Sequence, residues 1–306
     1  MLINQLETQT KMLDDNRTAF HRFSDKHPSF YIWLKSQKNP FRSMTSPLRI
    51  LPTFIIFGVS RSGTRSLNKY LNQHTSIRMA SRPEVHFFNK SDNFHQGINW
   101  YKSFFPTKVY RDLFESRTKS KLQCGDATPD YMYNPNSPER IKKYLPDVKL
   151  IAVLRNPIDR VYSHYHYMVR TRREDLSFDE AIKNEKNRIE DDLLMHNYDG
   201  DNYRRYSYLR RGIYVNQLET WYNAFPKQRI LIIKSEDLAN DDSIQKTLDE
   251  VFEFLNVSTF KIKNKGKVNI GKYPPMNSKL RKELSDYFRP HNLKLSSFLK
   301  MKFEWD

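Results

Sequence analysis

From residue 52 onward, short runs that are apolar at nearly every position alternate with longer stretches whose apolar residues recur every three or four positions. Residues 53–57, 149–154 and 229–233 are of the first kind, as expected of parallel strands covered on both faces. Residues 121–125 (KLQCG) are a shorter candidate. The second kind predicts helices over 63–72, 138–145, 158–172, 178–188, 214–225, 244–255, 278–288 and 293–301. In the first of these, Leu67, Tyr70 and Leu71 fall on one face and can meet the sheet. Strands alternating with helices predict a three-layer α/β fold with a central parallel sheet. Ligands then sit beyond the carboxyl ends of its strands.

Residues 1–50 carry no strand pattern. Leu2, Leu6 and Leu13 suggest a short amphipathic helix, and Pro28, Pro40 and Pro47 interrupt the rest. This stretch is expected to be a partly helical arm beside a domain over 51–306. No apolar run approaches the roughly 20 residues that a membrane helix needs. The first twenty residues are polar, without the apolar stretch of a secretory leader. Cys124, the only cysteine, excludes an intrachain disulfide. Together these features set the expectation of a soluble cytoplasmic protein.

Charge narrows the partners. The 52 Lys+Arg against 35 Asp+Glu give a net +17, which favours nucleic acid, anionic glycans, acidic lipid surfaces or a multiply charged nucleotide. Part of that excess simply keeps the surface soluble.

The stretch TFIIFGVSRSGTRSL, residues 53–67, singles out the nucleotide. A strand ends at Gly58, a loop of small residues follows (Ser60, Arg61, Ser62, Gly63), and a helix begins with Thr64, Arg65 and Ser66. Helix N-terminal N–H groups and the helix dipole seat an anion. An anion also relieves the repulsion between Arg61 and Arg65. The ATP-binding pattern GxxxxGK[ST] needs Lys after its second Gly, where this chain has Thr64. A nucleotide-like anion other than ATP is expected. After the second strand come Arg155 and, on the following helix, Ser163, a guanidinium and a hydroxyl suited to a second phosphate. Two seats on neighbouring strands suit a ligand such as a 3′,5′-bisphosphorylated nucleoside. Between them lies SRPEVHFFN, in which Glu84 and His86 alternate along what reads as an extended segment and point the same way. Glu84 has two readings: an ion-pair partner for Arg61 or Arg82, which spacing alone favours, or a general base for an attacking hydroxyl or amine. The histidines are scattered, and His164 and His166 fall on different helix faces, so no metal site is expected.

Six segments in order, GVSRSGTRSL, EVHFFN, GINWYKSFFP, VLRNPIDRVYSHYHYMV, RRGIYVNQLETWYNAFP and KYPPMNSKLRKELSDYFRPHNLKLSSFL, resemble the sulfotransferase domain of the heparan sulfate N- and O-sulfotransferases and their bacterial relatives. The resemblance implies a P-loop-like fold that binds 3′-phosphoadenosine 5′-phosphosulfate (PAPS). It also implies transfer of the sulfuryl group to a hydroxyl or amine of a carbohydrate-like acceptor, including a polyanionic one. By the same resemblance residues 60–66 hold the 5′-phosphosulfate, and Arg61 stabilises the leaving phosphate from a position that is Lys in the heparan enzymes. Arg65 matches an arginine of the same Gly-Thr-Arg sequence in the 3-O-sulfotransferases. Glu84 matches the catalytic base and His86 a supporting residue of the active site. Arg155 and Ser163 match the residues that bind the 3′-phosphate. Two departures stand out. Ala127 replaces a family Lys, which weakens the case for a heparan acceptor, and the C-terminal disulfide hairpin is missing. Lys265, Gly266 and Lys267 are candidates to close over the nucleotide in its place, or are simply a solvated basic loop. The alternatives are a small-molecule, lipid or tyrosine acceptor, a nucleotide-dependent kinase, or a non-catalytic polyanion binder. The kinase reading is disfavoured by Thr64 and by the lack of an evident acidic Mg²⁺ ligand at a strand end. With a nucleotide as ligand, nucleic acid is not an expected partner.

Overall fold

A computed structural model describes residues 40–264 and 273–305. The chain divides into two units, Met1–Pro47 and Leu48–Asp306. Within the first, the described residues form a short helix, Pro40–Met44. The proposed helix around Leu2, Leu6 and Leu13 lies outside the described residues, as do Lys265, Gly266 and Lys267.

The second unit is built on five parallel strands: β1 Phe54–Gly58, β2 Ile77–Met79, β3 Gln123–Ala127, β4 Lys149–Leu154 and β5 Ile230–Lys234. Their order across the sheet is β2-β3-β1-β4-β5, with every pair parallel. The strands were legible because both faces are buried. Phe54 and Ile56 of β1 join Ile151 and Val153 of β4 in one core, while Ile55 and Phe57 join Leu150, Ala152 and Leu154 in the other. β2 was not foreseen. It has three residues, only Ile77 of them buried, too short a run to signal a strand.

Helices cover both faces. The site rests on α1 Thr64–Leu71, α2 Ser91–His95, α3 Asp201–Tyr206 and α4 Pro157–Arg170. Leu67, Tyr70 and Leu71 are fully buried against the sheet, as their spacing predicts. Two helical expectations are corrected. The stretch 178–188 is two helices, Phe178–Lys183 and Glu185–Leu194, broken at Asn184. Conversely, 278–288 and 293–301 form one helix, Ser278–Leu299, that runs through Pro290. Leu284, Phe288, Leu295 and Leu299 are all buried in it, and that continuous apolar face outweighs the backbone hydrogen bond that proline cannot make.

The chain leaves β1 to reach β2 on one side of the sheet, and leaves β4 to reach β5 on the other. The carboxyl ends of these adjacent central strands therefore open a crevice, the position where open α/β sheets take their ligands. Gly58 lies against Met132, which a side chain at 58 would strike. Trp221 fixes that layer, its ring 4.3 Å from Phe57 and its indole N–H donating to the Met132 carbonyl at 3.1 Å.

Candidate active site

The loop after β1 is a tight turn in which Ser62 N–H donates to the Val59 carbonyl at 3.2 Å. Gly63 is the cap residue of α1 at φ +91°, a conformation glycine adopts freely, and it has no side chain to cap the helix. The first N–H groups of α1 are therefore left for a ligand. Arg61 stands in the left-handed region at φ +73°, as do Glu84 at +51° and His86 at +56°. Other non-glycine residues in this conformation, such as Lys119, Asn256 and Lys300, end helices, where it is ordinary. Arg61, Glu84 and His86 end none, so backbone cost of order 1–3 kcal/mol each is gathered at one site.

The segment around Glu84 and His86 is a bent loop rather than the extended one expected, because both residues are left-handed. Their side chains nevertheless meet: Glu84 Oε2 is 3.6 Å from His86 Nε2, and His86 Nδ1 is 3.2 Å from Asn89 Oδ1. The ion-pair partner of Glu84 is Arg65, with Nη2 and Nε at 3.0 and 3.1 Å from Oε1. Spacing had suggested Arg61 or Arg82; Arg82 instead lies over the rings of Trp100 and Phe104. Burial pushes the Glu84 carboxyl up, but the His86 hydrogen bond and the Arg65 charge outweigh it, leaving the group below its ordinary value and ionised.

Arg61 turns the other way. Its Nε and Nη2 each lie 3.3 Å from Ser163 Oγ on α4, and its guanidinium rests over the Tyr167 ring at 4.8 Å. Arg155 Nη1 donates to the Arg61 carbonyl at 3.1 Å. The residues expected to form two separate seats are thus in contact, Arg61 meeting both Arg155 and Ser163 across the ends of β1 and β4. Burial lowers the Arg61 pKa, and the charges of Arg170 and Arg65 lower it further. An anion bound here would remove that repulsion. Ser62 is fully buried with its hydroxyl unpartnered, a further sign of a loop built around something it holds. Uncapped helix, crowded guanidinium groups and orphaned hydroxyl fit a phosphate-bearing nucleotide.

Sequence reasoning missed three groups. Tyr167, one turn beyond Ser163, gave no signal apart from core. Asp126 does stand near the end of β3, where a kinase would hold Mg²⁺, but its oxygens accept from Tyr101 and Tyr131 at 2.9 and 2.8 Å and from Thr128 at 2.8 Å. Those hydroxyls occupy it, and Tyr131 in turn accepts from Phe87 N–H at 3.0 Å and supports the Glu84 loop. Asp130 pairs with buried Arg211 at 2.8 Å, and both sit in stretches that read only as turn and helix approach.

The electrostatics of Glu84 carry a pH prediction. A depressed pKa keeps the carboxylate charged as pH falls through its ordinary value, so activity that needs the charge is lost at lower pH than for an ordinary carboxylate. Removing Arg65 withdraws one of the depressing charges. In Arg65→Gln the acidic limb of the pH–rate profile should therefore move to higher pH, and an unmoved limb would separate that limb from Glu84.

A strand-loop-helix turn with uncapped helix N–H groups and a carboxylate at its edge suits group transfer from an anionic donor. The sulfotransferase domain model matches residues 51–288, and the chain belongs to that family; it is an enzyme that transfers sulfate. The relatives are informative about kind. Membrane-associated sulfotransferase kil1 of Dictyostelium discoideum is 26% identical, across 89% of this chain and 70% of that protein. The bifunctional heparan sulfate N-deacetylase/N-sulfotransferase 3 of Mus musculus is 32% identical over 81% of this chain, which spans only 30% of its length. The mouse heparan sulfate glucosamine 3-O-sulfotransferase 3B1 is 29% identical over 84% of this chain and 65% of its own. A crystal structure of a sulfotransferase from Alicyclobacillus acidocaldarius superposes with a TM-score of 0.63 at 27% identity, over 83% of this chain and 98% of that one.

These likenesses correct the cytoplasmic expectation, since a relative that covers most of the chain is named for its association with membranes. Among the described residues no helix is long and apolar enough to cross a bilayer. Polar helices and a single cysteine do not identify a compartment.

Proposed function

We propose that the protein transfers the sulfuryl group of PAPS to a hydroxyl or amine of a carbohydrate acceptor. The observation that carries this reading is the Arg65–Glu84 contact at 3.0 Å, which sets an ionised carboxylate at the lip of the anion-binding loop. The α1 N-terminus with residues 60–66 would hold the phosphosulfate end of the donor. Arg155 and Ser163 would hold its 3′-phosphate. Glu84 takes the proton of the attacking O–H or N–H as the new bond to sulfur forms. The bond from sulfur to the bridging oxygen breaks, and 3′-phosphoadenosine 5′-phosphate (PAP) leaves. Arg61 supplies positive charge beside the leaving phosphate, where a guanidinium stabilises but does not readily donate a proton. His86, fixed by Asn89, orients Glu84. A carbohydrate acceptor is supported by the heparan sulfate enzymes among the relatives. Ala127, in place of a family lysine, weakens the case for heparan itself as the glycan.

The donor assignment has a direct test. Arg155→Ala should weaken PAP binding about 10- to 100-fold by calorimetry, the worth of a hydrogen bond to a charged group. Adenosine 5′-phosphate, which lacks the 3′-phosphate, should lose far less. Equal losses would remove Arg155 from the 3′-phosphate, and tighter binding of ATP–Mg²⁺ than PAP would revive the kinase reading.

A further inference from the structure

Near Glu84, with Asp130 as the shared neighbour, two cationic side chains make no hydrogen bonds among the described residues. Arg204 on α3 has five N–H donors, and among the described residues none of them makes a hydrogen bond. It has only loose ion pairs, 3.9 Å from Asp130 and 3.7 Å from Asp201, although its side chain is 23% exposed and its Nε is fully covered. The Lys90 ammonium has no hydrogen bond or ion pair among the described residues, yet the residue is half-buried. Burial lowers its pKa, and the Arg204 charge lowers it further.

The backbone brings these two side chains together. Ser91 N–H, next to Lys90, donates to Asp199 Oδ2 at 2.6 Å, two residues before α3 begins. Asn134 Nδ2 bonds the Asn89 carbonyl at 3.0 Å and the Tyr198 carbonyl at 3.3 Å, clamping the same two segments. Arg211 cannot serve as their counterpart, being a buried cation itself, with Asp130 at 2.8 Å and the Tyr133 ring at 4.4 Å. Its Nε and the Tyr133 hydroxyl are also buried and unpartnered. Orphaned donors of this kind cost stability unless an acceptor arrives. Asp130 ties the cluster to the chemistry, because its charge is felt by both Glu84 and Lys90.

We propose that Arg204 and Lys90 form a subsite for an anionic group carried by the acceptor, a carboxylate or a sulfate ester near the atom that receives the sulfuryl group. The inference rests on the sulfotransferase reading and extends it to the acceptor. Arg204 offers the paired donors that match a carboxylate or sulfate, and Lys90 adds a point charge. An anion there also offsets the local positive excess that Asp130 and Asp201 only partly balance.

The test uses the full chain with PAP present, calorimetry for binding and labelled PAPS for turnover. The probes are heparosan, whose anions are all carboxylates, its carboxyl-reduced neutral form, and a carboxyl-reduced, O-sulfated form. Arg204→Gln and Lys90→Gln should each weaken binding of an anionic probe about 10-fold, with Arg204→Lys recovering part of the loss. PAP affinity should stay as in the wild type, which also reports folding. Loss confined to heparosan identifies a carboxylate site, and loss on the O-sulfated form a sulfate-ester site. Equal loss on the neutral glycan, or no loss on any probe, overturns the subsite. Charge-dependent binding without turnover on any glycan leaves the subsite standing and overturns the carbohydrate-acceptor reading. If the wild type binds none of the three, both fall.

Discussion

Glu84→Gln should lower sulfuryl transfer by about 10²–10⁴-fold while PAP still binds, the usual worth of a positioned general base. Glutamine keeps the shape and can still accept from Arg65, so the variant removes the basic oxygen and little else. Two measurements are needed: transfer of label from PAPS to an acceptor, and PAP affinity by calorimetry. Loss of both would point to a collapsed loop, and loss of neither would remove Glu84 from the reaction. The depressed pKa of Glu84 bears on this result. A carboxylate paired with Arg65 is a weakened base, and on the proposed reading a donor phosphate drawing on Arg65 would strengthen it. The same arginine would then link donor binding to proton transfer.

Arg211→Met should destabilise the domain by about 3–5 kcal/mol, because it removes a buried guanidinium and leaves the half-buried Asp130 carboxylate with only the loose Arg204 contact. For a domain of this size that corresponds to a fall in Tm of roughly 6–20 °C by scanning calorimetry. The pH dependence has a definite sign. Burial raises the Asp130 pKa, but the Arg211 charge, with help from His86 and Arg204, holds it well below the ordinary carboxylate range. That contribution is present above the unfolded-state pKa and is lost as pH falls toward the folded one. The gap between wild type and Arg211→Met should accordingly shrink in acid. A gap of constant size would assign the loss to packing on Tyr133 instead.

The sheet was legible because burial on both faces writes itself as continuous apolar runs, and β1, β4 and β5 all carry them. The turn from β1 into α1 was legible because a loop of small residues follows an apolar strand and precedes a helical pattern, and its two arginines stood out for want of a structural reason. What was hidden depends on side chains that cross between distant segments. Arg61 reaches Ser163, 102 residues away, and Arg211 reaches Asp130 across 81. No local pattern records such pairs. Left-handed Glu84 and His86 were misread because alternation implies an extended strand only when every φ is negative. The Pro290 helix was divided because proline is a strong breaker signal, and the buried face that overrides it is tertiary.

The contact between Arg65 and Glu84 joins halves with separate supports. One half belongs to β1, β4 and α4; the other hangs on the loop before α2 and on α3, stitched by Asn134 and Asp199. On the proposed reading, changes in the second half would alter acceptor choice and leave the donor side intact. A single scaffold of this kind can diversify by exchanging one module, and on that reading a chimera carrying a relative's segment there should shift in acceptor preference while its affinity for PAP stays the same.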